Sequence, residues 1–174
     1  MSGYKSVNYF KGVEHLKAVI RKAQKKDIQA IQHVAKESWH DTYKELIPEA
    51  IQDQFLEQAY SDEMMAKRID HSLFLVAEND SDVIGYAAAF QKENEADLSA
   101  IYLLPDAKGN GVGTQLLEGV LEALDSVKEL YVEVEKGNTS GETFYEAKGF
   151  AVVDEYEDDL FGHVLQTKKM VLVI

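Results

Sequence analysis

The 174-residue sequence contains no cysteine, which removes disulfide bonds, thiolate metal sites and a thiol nucleophile from consideration. It also lacks any apolar run approaching the roughly 18 residues that cross a membrane, and its first residues lack the apolar stretch of a signal peptide. We therefore expect a cytoplasmic protein with no membrane partner.

Positive charge is scarce as well. The chain carries 18 lysines and arginines against 31 aspartates and glutamates, a net charge of -13. An acidic surface repels phosphate backbones, so we expect no nucleic-acid partner. The same field favours a cationic small molecule, although acidity also serves solubility alone.

The length and composition favour a single globular domain. Apolar residues make up 45 % of the chain and charged residues 28 %, and neither internal repeats nor linkers interrupt it. Residues 1–15 show no clear period and are set apart as an N-terminal extension without an assigned structure. Residues 16–174 are expected to form one α/β domain with a mixed sheet.

Apolar spacing predicts the order of helices and strands. A first strand is expected within 16–23, followed by a helix that Asp27 caps and that reaches about Tyr43. One or two helices are expected over 45–70, and the turn NDSD predicts a hairpin between two strands. Further strands are expected over 96–104 and 129–135, a helix over 140–149, and a closing hairpin from 150 to 174.

Three glycines stand in the stretch KGNGVG, Lys108 to Gly113, between a predicted strand and a predicted helix. Such a loop brings backbone N–H groups and a helix N-terminus close to a phosphate, although a glycine-rich loop can also be only a tight turn. A Walker loop is excluded because Thr114 and Gln115 follow where a lysine is required, and the glycine spacing does not fit a dinucleotide fingerprint.

A second segment, NTSGETFYEAKGF, follows the next strand and contains Asn138, Tyr145 and Gly149. The two segments together resemble the paired signatures of the GNAT superfamily, the Gcn5-related N-acetyltransferases. The resemblance extends from about Leu16 to the C-terminus. It departs from the family pattern at Lys108, where arginine or glutamine is usual, and the stretch SWHDTYKELIP looks like the first helix and loop of small-molecule and polyamine-type members.

The resemblance implies a central, mixed, mostly antiparallel sheet of six to seven strands flanked by helices. It also implies an acetyl-CoA-dependent enzyme, without a metal, that transfers the acetyl group directly to a primary amine of a small molecule or peptide. The residues expected to bind the cofactor are Ile101, Tyr102, Leu103, Lys108, Gly109, Asn110, Gly111, Val112, Gly113, Thr114, Asn138, Tyr145 and Lys148. In this family the strand before the loop is interrupted by a bulge and separates from its neighbour, a feature that we expect at 101–103.

The resemblance also assigns chemical roles. Tyr145 is expected to be the general acid, because a phenol of pKa near 10 suits a departing thiolate. Asp97 is expected to be the base, since strand alternation would place it on one face with Ser99 and Ile101, and Glu133 and Glu135 are its rivals.

The acceptor side is expected to include Trp39, His40 and Tyr43. Two residues keep an alternative interpretation: Asn138 as a helix cap and Lys148 as an exposed lysine.

A competing hypothesis is a non-catalytic module that senses acyl-CoA, in which the loop binds the ligand and Tyr145 only packs. The sequence leaves open the identity of the amine and the oligomeric state, with a homodimer among the alternatives.

Overall fold

The computed structural model describes residues 17–174, together with the backbone of two short strands, Ser6–Asn8 (β1) and Val13–His15 (β2). These two strands pair antiparallel as a separate sheet. The rest of the predicted N-terminal extension lies outside the described residues.

Seven strands form the main sheet. In chain order they are Val19–Lys22 (β3), Leu73–Asn79 (β4), Asp82–Lys92 (β5), Glu95–Leu103 (β6), Glu129–Glu135 (β7), Ala151–Leu160 (β8) and His163–Val173 (β9). Their spatial order is β3-β4-β5-β6-β7-β9-β8, and within this sheet only β6 and β7 run parallel. The mixed, mostly antiparallel sheet expected from the sequence is confirmed.

Helices cover both faces of the sheet. One face packs against Ile28–Tyr43 (α1), Glu49–Ala59 (α2) and Asp62–His71 (α3), and the other against Val112–Ala123 (α4) and Thr139–Ala147 (α5). The face of α1 and the face of α4 therefore have separate cores. Among the described residues, no helix combines the length and the apolar character needed to cross a bilayer.

The bounds of α1 agree with its predicted range, but the role of Asp27 differs. Its carboxylate does not cap α1; it accepts hydrogen bonds from Arg21 Nη1 at 2.8 Å and from the backbone N of Gln24 at 2.7 Å. Asp27 lies within a short 3-10 turn before α1, and its side chain caps the start of that turn. The hydrogen bond from Arg21 holds the pKa of Asp27 below its ordinary value.

The hairpin between β4 and β5 forms at the NDSD turn. Asp80 and Ser81 have φ values of 49° and 70°, the left-handed conformation that two-residue hairpin turns require. The hairpin brings β5 into the middle of the sheet, beside β6.

Candidate active site

A cleft of about 360 Å³ opens where β6 and β7 separate. The two strands pair only from Glu95 with Glu129 to Leu98 with Val132. Beyond that point β6 stays bonded to β5, while β7 stays bonded to β9. The cleft is therefore a gap in the sheet itself, lined by 98–103 on β6 and by 132–134 on β7.

A β-bulge lies where this gap begins. Leu98 pairs with Ala89 and Ala100 pairs with Ala88, so Ser99 is the extra residue in β6. Its hydroxyl donates to the carbonyl oxygen of Ala88 at 3.2 Å. The bulge lies two residues before the segment where the sequence predicted it.

The bulge reverses the alternation of side chains along β6. Leu98 packs in the core on the α4 side, and after Ser99 it is Ile101 that packs there, while Ala100 packs on the α1 side. The expectation that Asp97 and Ile101 share a face is therefore wrong. Side chains alternate between the two faces along a strand, so one inserted residue moves every later side chain to the opposite face. Asp97 is exposed and is not among the residues that line the cleft.

The glycine loop forms one end of the cleft. Gly109 and Gly111 have φ values of 78° and 82°, and Gly111 is the residue that precedes α4. The first helical hydrogen bond of α4 is donated by the backbone N of Gln115 to Gly111 O, so the N–H groups that precede it in the loop have no helical acceptor. Gly113 permits close packing, since an added Cβ would lie 3.3 Å from Cε2 of Phe144.

Three of the residues expected in the cofactor site lie outside the cleft lining. The Asn110 side chain donates to Lys108 O at 3.2 Å and to Ala107 O at 3.3 Å, so it supports the loop from behind. Val112 is fully buried in the core. Lys148 extends over the ring of Phe144, with Nζ 5.7 Å from the ring centroid.

Asn138 joins the cleft to the start of α5. Its Oδ1 accepts from the backbone N of Gly141 at 3.0 Å, so the capping interpretation of the sequence holds, and the residue also lines the cleft. An added Cβ at Gly141 would lie 2.7 Å from Asn138 Nδ2, so a larger residue here would displace the Asn138 side chain from its capping position.

Tyr145 reaches the cleft from α5. Its ring is 93 % buried and contacts Phe144 and Phe150 edge to face, each with a centroid distance of 5.2 Å. No described residue forms a hydrogen bond with its hydroxyl group. Burial, with a smaller contribution from the neighbouring Tyr43, raises the pKa of Tyr145 above its ordinary value, so the phenol carries its proton at neutral pH.

On the α1 side, Tyr43 and Tyr102 line the cleft, and their hydroxyl groups lie 2.9 Å apart in a hydrogen bond. Burial raises the pKa of Tyr43 to about 12. The other two residues expected on the acceptor side are not in the cleft. Trp39 stacks on Phe55 of α2, with ring centroids 4.4 Å apart, because its apolar ring completes the packing between α1 and α2.

His40 also turns toward α2, where Nε2 lies 2.9 Å from Oδ1 of Asp53. Glu49 stands one helical turn before Asp53, and the three potential ligand atoms lie within 4.8 Å of one another. This contact joins the two helices outside the cleft.

Carboxylates cluster on the α1 side of the sheet beyond the cleft. Glu133 lines the cleft, and Glu135 follows on the same face of β7. Burial raises the pKa of Glu135, and the charges of Asp158 and Glu133 raise it further. A hydrogen bond donated by Thr167 Oγ1 lowers the pKa by a smaller amount than burial raises it. Burial, with a contribution from the charge of the neighbouring Glu133, raises the pKa of Tyr156 on β8.

The cleft thus brings together most of the predicted cofactor residues and adds several others. The predicted residues that line it are Tyr43, Ile101, Tyr102, Leu103, Lys108, Gly109, Gly111, Gly113, Thr114, Asn138 and Tyr145. Among those that the sequence analysis did not assign are Ser38 and Thr42 of α1 and Ser140 of α5. Ser38 and Thr42 are small polar residues four positions apart on α1, a spacing that could have indicated a shared face.

Comparison with known proteins gives a consistent result. A family model described as an acetyltransferase (GNAT) domain matches residues 34–164. The chain is 33 % identical over 146 residues to a spermidine N(1)-acetyltransferase from Thermoplasma acidophilum, covering 78 % of this chain and 89 % of that protein.

Two solved structures show the same fold. The PaiA N-acetyltransferase from Thermoplasma acidophilum, a crystal structure in complex with coenzyme A, matches with a TM-score of 0.79 at 28 % identity, over 87 % of this chain and 98 % of that chain. The ribosomal-protein-S18-alanine N-acetyltransferase from Escherichia coli matches with a TM-score of 0.70 at 20 % identity, over 91 % and 94 % of the two chains.

Proposed function

The chain belongs to the GNAT acetyltransferases, and we propose that it transfers the acetyl group of acetyl-CoA to a primary amine that carries positive charge. The observation that carries this proposal is the cleft through the sheet. One end of it presents backbone N–H groups and a lysine, and the α1 side presents carboxylates. The anionic donor and the cationic acceptor are thereby directed to opposite ends of one gap.

The donor end fits the phosphates of coenzyme A. The N–H groups from Gly109 to Thr114 precede the first helical bond of α4, and they join the positive end of its dipole. A Cβ at Gly109 would meet no protein atom within 4 Å, so the loop leaves space for a ligand there. The free strand edges that line the gap would hold the pantetheine arm. Bound acetyl-CoA supplies the activated thioester.

The chemistry then needs one proton acceptor and one proton donor. We assign the acceptor to Glu133, which takes one proton from the nitrogen of the neutral attacking amine, directly or through a water molecule. We assign the donor to Tyr145, which gives its phenolic proton to the sulfur as the bond between carbon and sulfur breaks and the bond between carbon and nitrogen forms.

Glu133 replaces Asp97 in this proposal because of their positions. Both side chains are exposed, but Glu133 lines the cleft, whereas Asp97 lies beside the paired part of β6 and β7 and outside the cleft lining. A base must reach the amine nitrogen within hydrogen-bond distance or through one water, and Glu133 meets that requirement better.

The acceptor class follows from the charge beside Glu133. Glu135 and Asp158 lie near it on the same side, so a cationic group is attracted to this end of the cleft. The spermidine N(1)-acetyltransferase from Thermoplasma acidophilum, to which the chain is 33 % identical, supports an amine of this type. A cytoplasmic location and a homodimer stay predictions from the sequence.

The test is calorimetric titration of acetyl-CoA into the protein, followed by thiol release with a panel of amines. Diamines and polyamines should release thiol at lower concentrations than monoamines of equal length, and neutral amino compounds should react least. Acetyl-CoA binding without thiol release from any amine would favour a sensor. A failure to bind acetyl-CoA would contradict the donor assignment.

A further inference from the structure

The lysine of the glycine loop is held by α1. Lys108 Nζ donates to Oδ2 of Asp41 at 3.0 Å and lies 3.4 Å from Oγ1 of Thr42. An ammonium group has three donors, and these two contacts use two of them. The third donor is left for an anion in the cleft, which Lys108 also lines.

We propose that Asp41 is a positioning residue for the cofactor, acting through Lys108 on the phosphates of coenzyme A. The proposal rests on the proposed function, since it requires the glycine loop to bind those phosphates. It makes the last turn of α1 part of the cofactor site, although α1 otherwise contributes to the acceptor side through Tyr43.

A lysine at this position needs such support more than the usual family residues do. Its ammonium is a point charge on a flexible four-carbon stem, without the planar fork by which arginine holds a phosphate. Fixing the stem before the ligand arrives removes part of the entropy that binding would otherwise cost. Asp41 and Thr42 fix it from one helix, and the helix is itself held against the sheet by Val34 and Ala35, which are fully buried.

Simple electrostatics predicts the opposite effect for Asp41. A carboxylate close to the phosphate site repels an anion, so its removal should strengthen binding if repulsion were its main effect. Positioning and repulsion therefore predict opposite signs for one substitution, and the sign can be measured.

The substitution is also expected to leave the fold intact. Asp41 lies in the last turn of α1, where a carboxylate opposes the helix dipole, and alanine has the higher helix propensity. Its partner in the ion pair is one-third exposed, so little stability depends on the contact. A weaker affinity in Asp41→Ala would thus not reflect unfolding.

The experiment is calorimetric titration of coenzyme A into wild type, Asp41→Ala, Asp41→Asn and Lys108→Met. An exposed ion pair of this kind predicts a Kd about two- to fivefold higher in Asp41→Ala. Asp41→Asn retains an oxygen that accepts from Lys108, so its Kd should stay close to or below that of wild type. Adding Asp41→Ala to Lys108→Met should not weaken binding further.

The matched control is Glu37→Ala, which removes an exposed carboxylate one turn earlier on α1. Its Kd should equal that of wild type. Tighter binding in both Asp41 variants, or a Kd in Asp41→Ala equal to that of the control, would overturn the proposal.

A second readout separates positioning from a general disturbance of α1. S-acetylpantetheine carries the thioester but no nucleotide phosphates. Asp41→Ala should raise the KM for acetyl-CoA and leave the KM for S-acetylpantetheine unchanged, whereas a displaced helix would raise both and contradict the proposal. If wild type fails to bind coenzyme A, the proposed function fails; if only the Asp41 effect is missing, this inference alone fails.

Discussion

Tyr156 on β8 and Glu133 on β7 lie on the same face of the sheet, across the intervening strand β9, and the charge of Glu133 contributes to the raised pKa of the Tyr156 phenol. The phenol therefore lies close to a carboxylate that lines the cleft. The last three strands thus place polar groups beside the proposed position of the amine.

Replacing Glu133 by glutamine tests its assignment as the base. General-base catalysis contributes about 10²- to 10⁴-fold, so we expect a loss of kcat in that range with an unchanged Kd for acetyl-CoA. Tyr156→Phe should cause a smaller loss, because it removes a polar group near the carboxylate and leaves the carboxylate itself in place. Steady-state kinetics with the best amine measures both, and wild-type turnover in Glu133→Gln would refute the assignment.

Replacing Tyr145 by phenylalanine tests the general acid. The ring packing with Phe144 and Phe150 is retained, so the protein should fold and bind acetyl-CoA as wild type does. Loss of the phenolic proton should lower kcat by about one to three orders of magnitude. Tyr131→Phe, which removes a phenol outside the cleft, serves as the control. Equal kcat values in the two variants would remove Tyr145 from the mechanism.

Two glycines with similar backbone conformations allow the cost of backbone strain to be measured apart from an effect on ligand binding. Gly109 and Gly162 have φ values of 78° and 85°, and a Cβ at either position would meet no atom within 4 Å. Each change to alanine should therefore cost about 1–2 kcal/mol of unfolding free energy, measured in urea. Only Gly109→Ala should weaken coenzyme A binding, because only Gly109 lines the cleft. Equal affinities in the two variants would argue against the phosphate cradle.

Glu135 is expected to reduce stability at neutral pH. Burial raises its folded pKa above the unfolded value near 4.5, so folding favours the protonated form. The stability that the protonated form provides is lost as the pH rises from about 4.5 to the raised pKa of Glu135 in the folded state. Glu135→Gln should therefore have a higher Tm than wild type at pH 7, and the difference should shrink toward pH 4.

The same change should weaken acceptor binding, with the KM of a diamine rising more than that of a monoamine. Glu155→Gln, an exposed change on β8, is the control for the loss of one charge. A uniform rise of KM for both amines, or none, would contradict the placement of the cationic group near Glu135.

Much of the fold was predictable because its signals are local. Apolar spacing indicated α1 from Ile28 to Tyr43, and the turn chemistry of Asp80 and Ser81 indicated the hairpin. The glycine loop could be placed between strand and helix because Gly111 takes a backbone conformation that other residues adopt only with strain.

The site was harder to predict where it depends on contacts between distant segments. Strand alternation carries no sign of a single extra residue, so the bulge at Ser99 and the exclusion of Asp97 from the cleft were not visible. Helical spacing showed that Trp39 is buried but not that Phe55 of α2 is its partner. The contact of Lys108 with Asp41 spans 67 positions, and no local pattern predicts it.

The strand β8 lies at the end of the sheet, and over its ten residues one row of backbone groups has no neighbouring strand in the part of the chain that the structure describes. An open edge of that length is a template on which a second chain can add, and chains that stack in this way aggregate. Five of its residues are acidic: Asp154, Glu155, Glu157, Asp158 and Asp159. Two such edges brought together would face each other with like charges a few ångströms apart, so the carboxylates of β8, among them Asp158 near the proposed amine site, disfavour the pairing of two copies strand to strand.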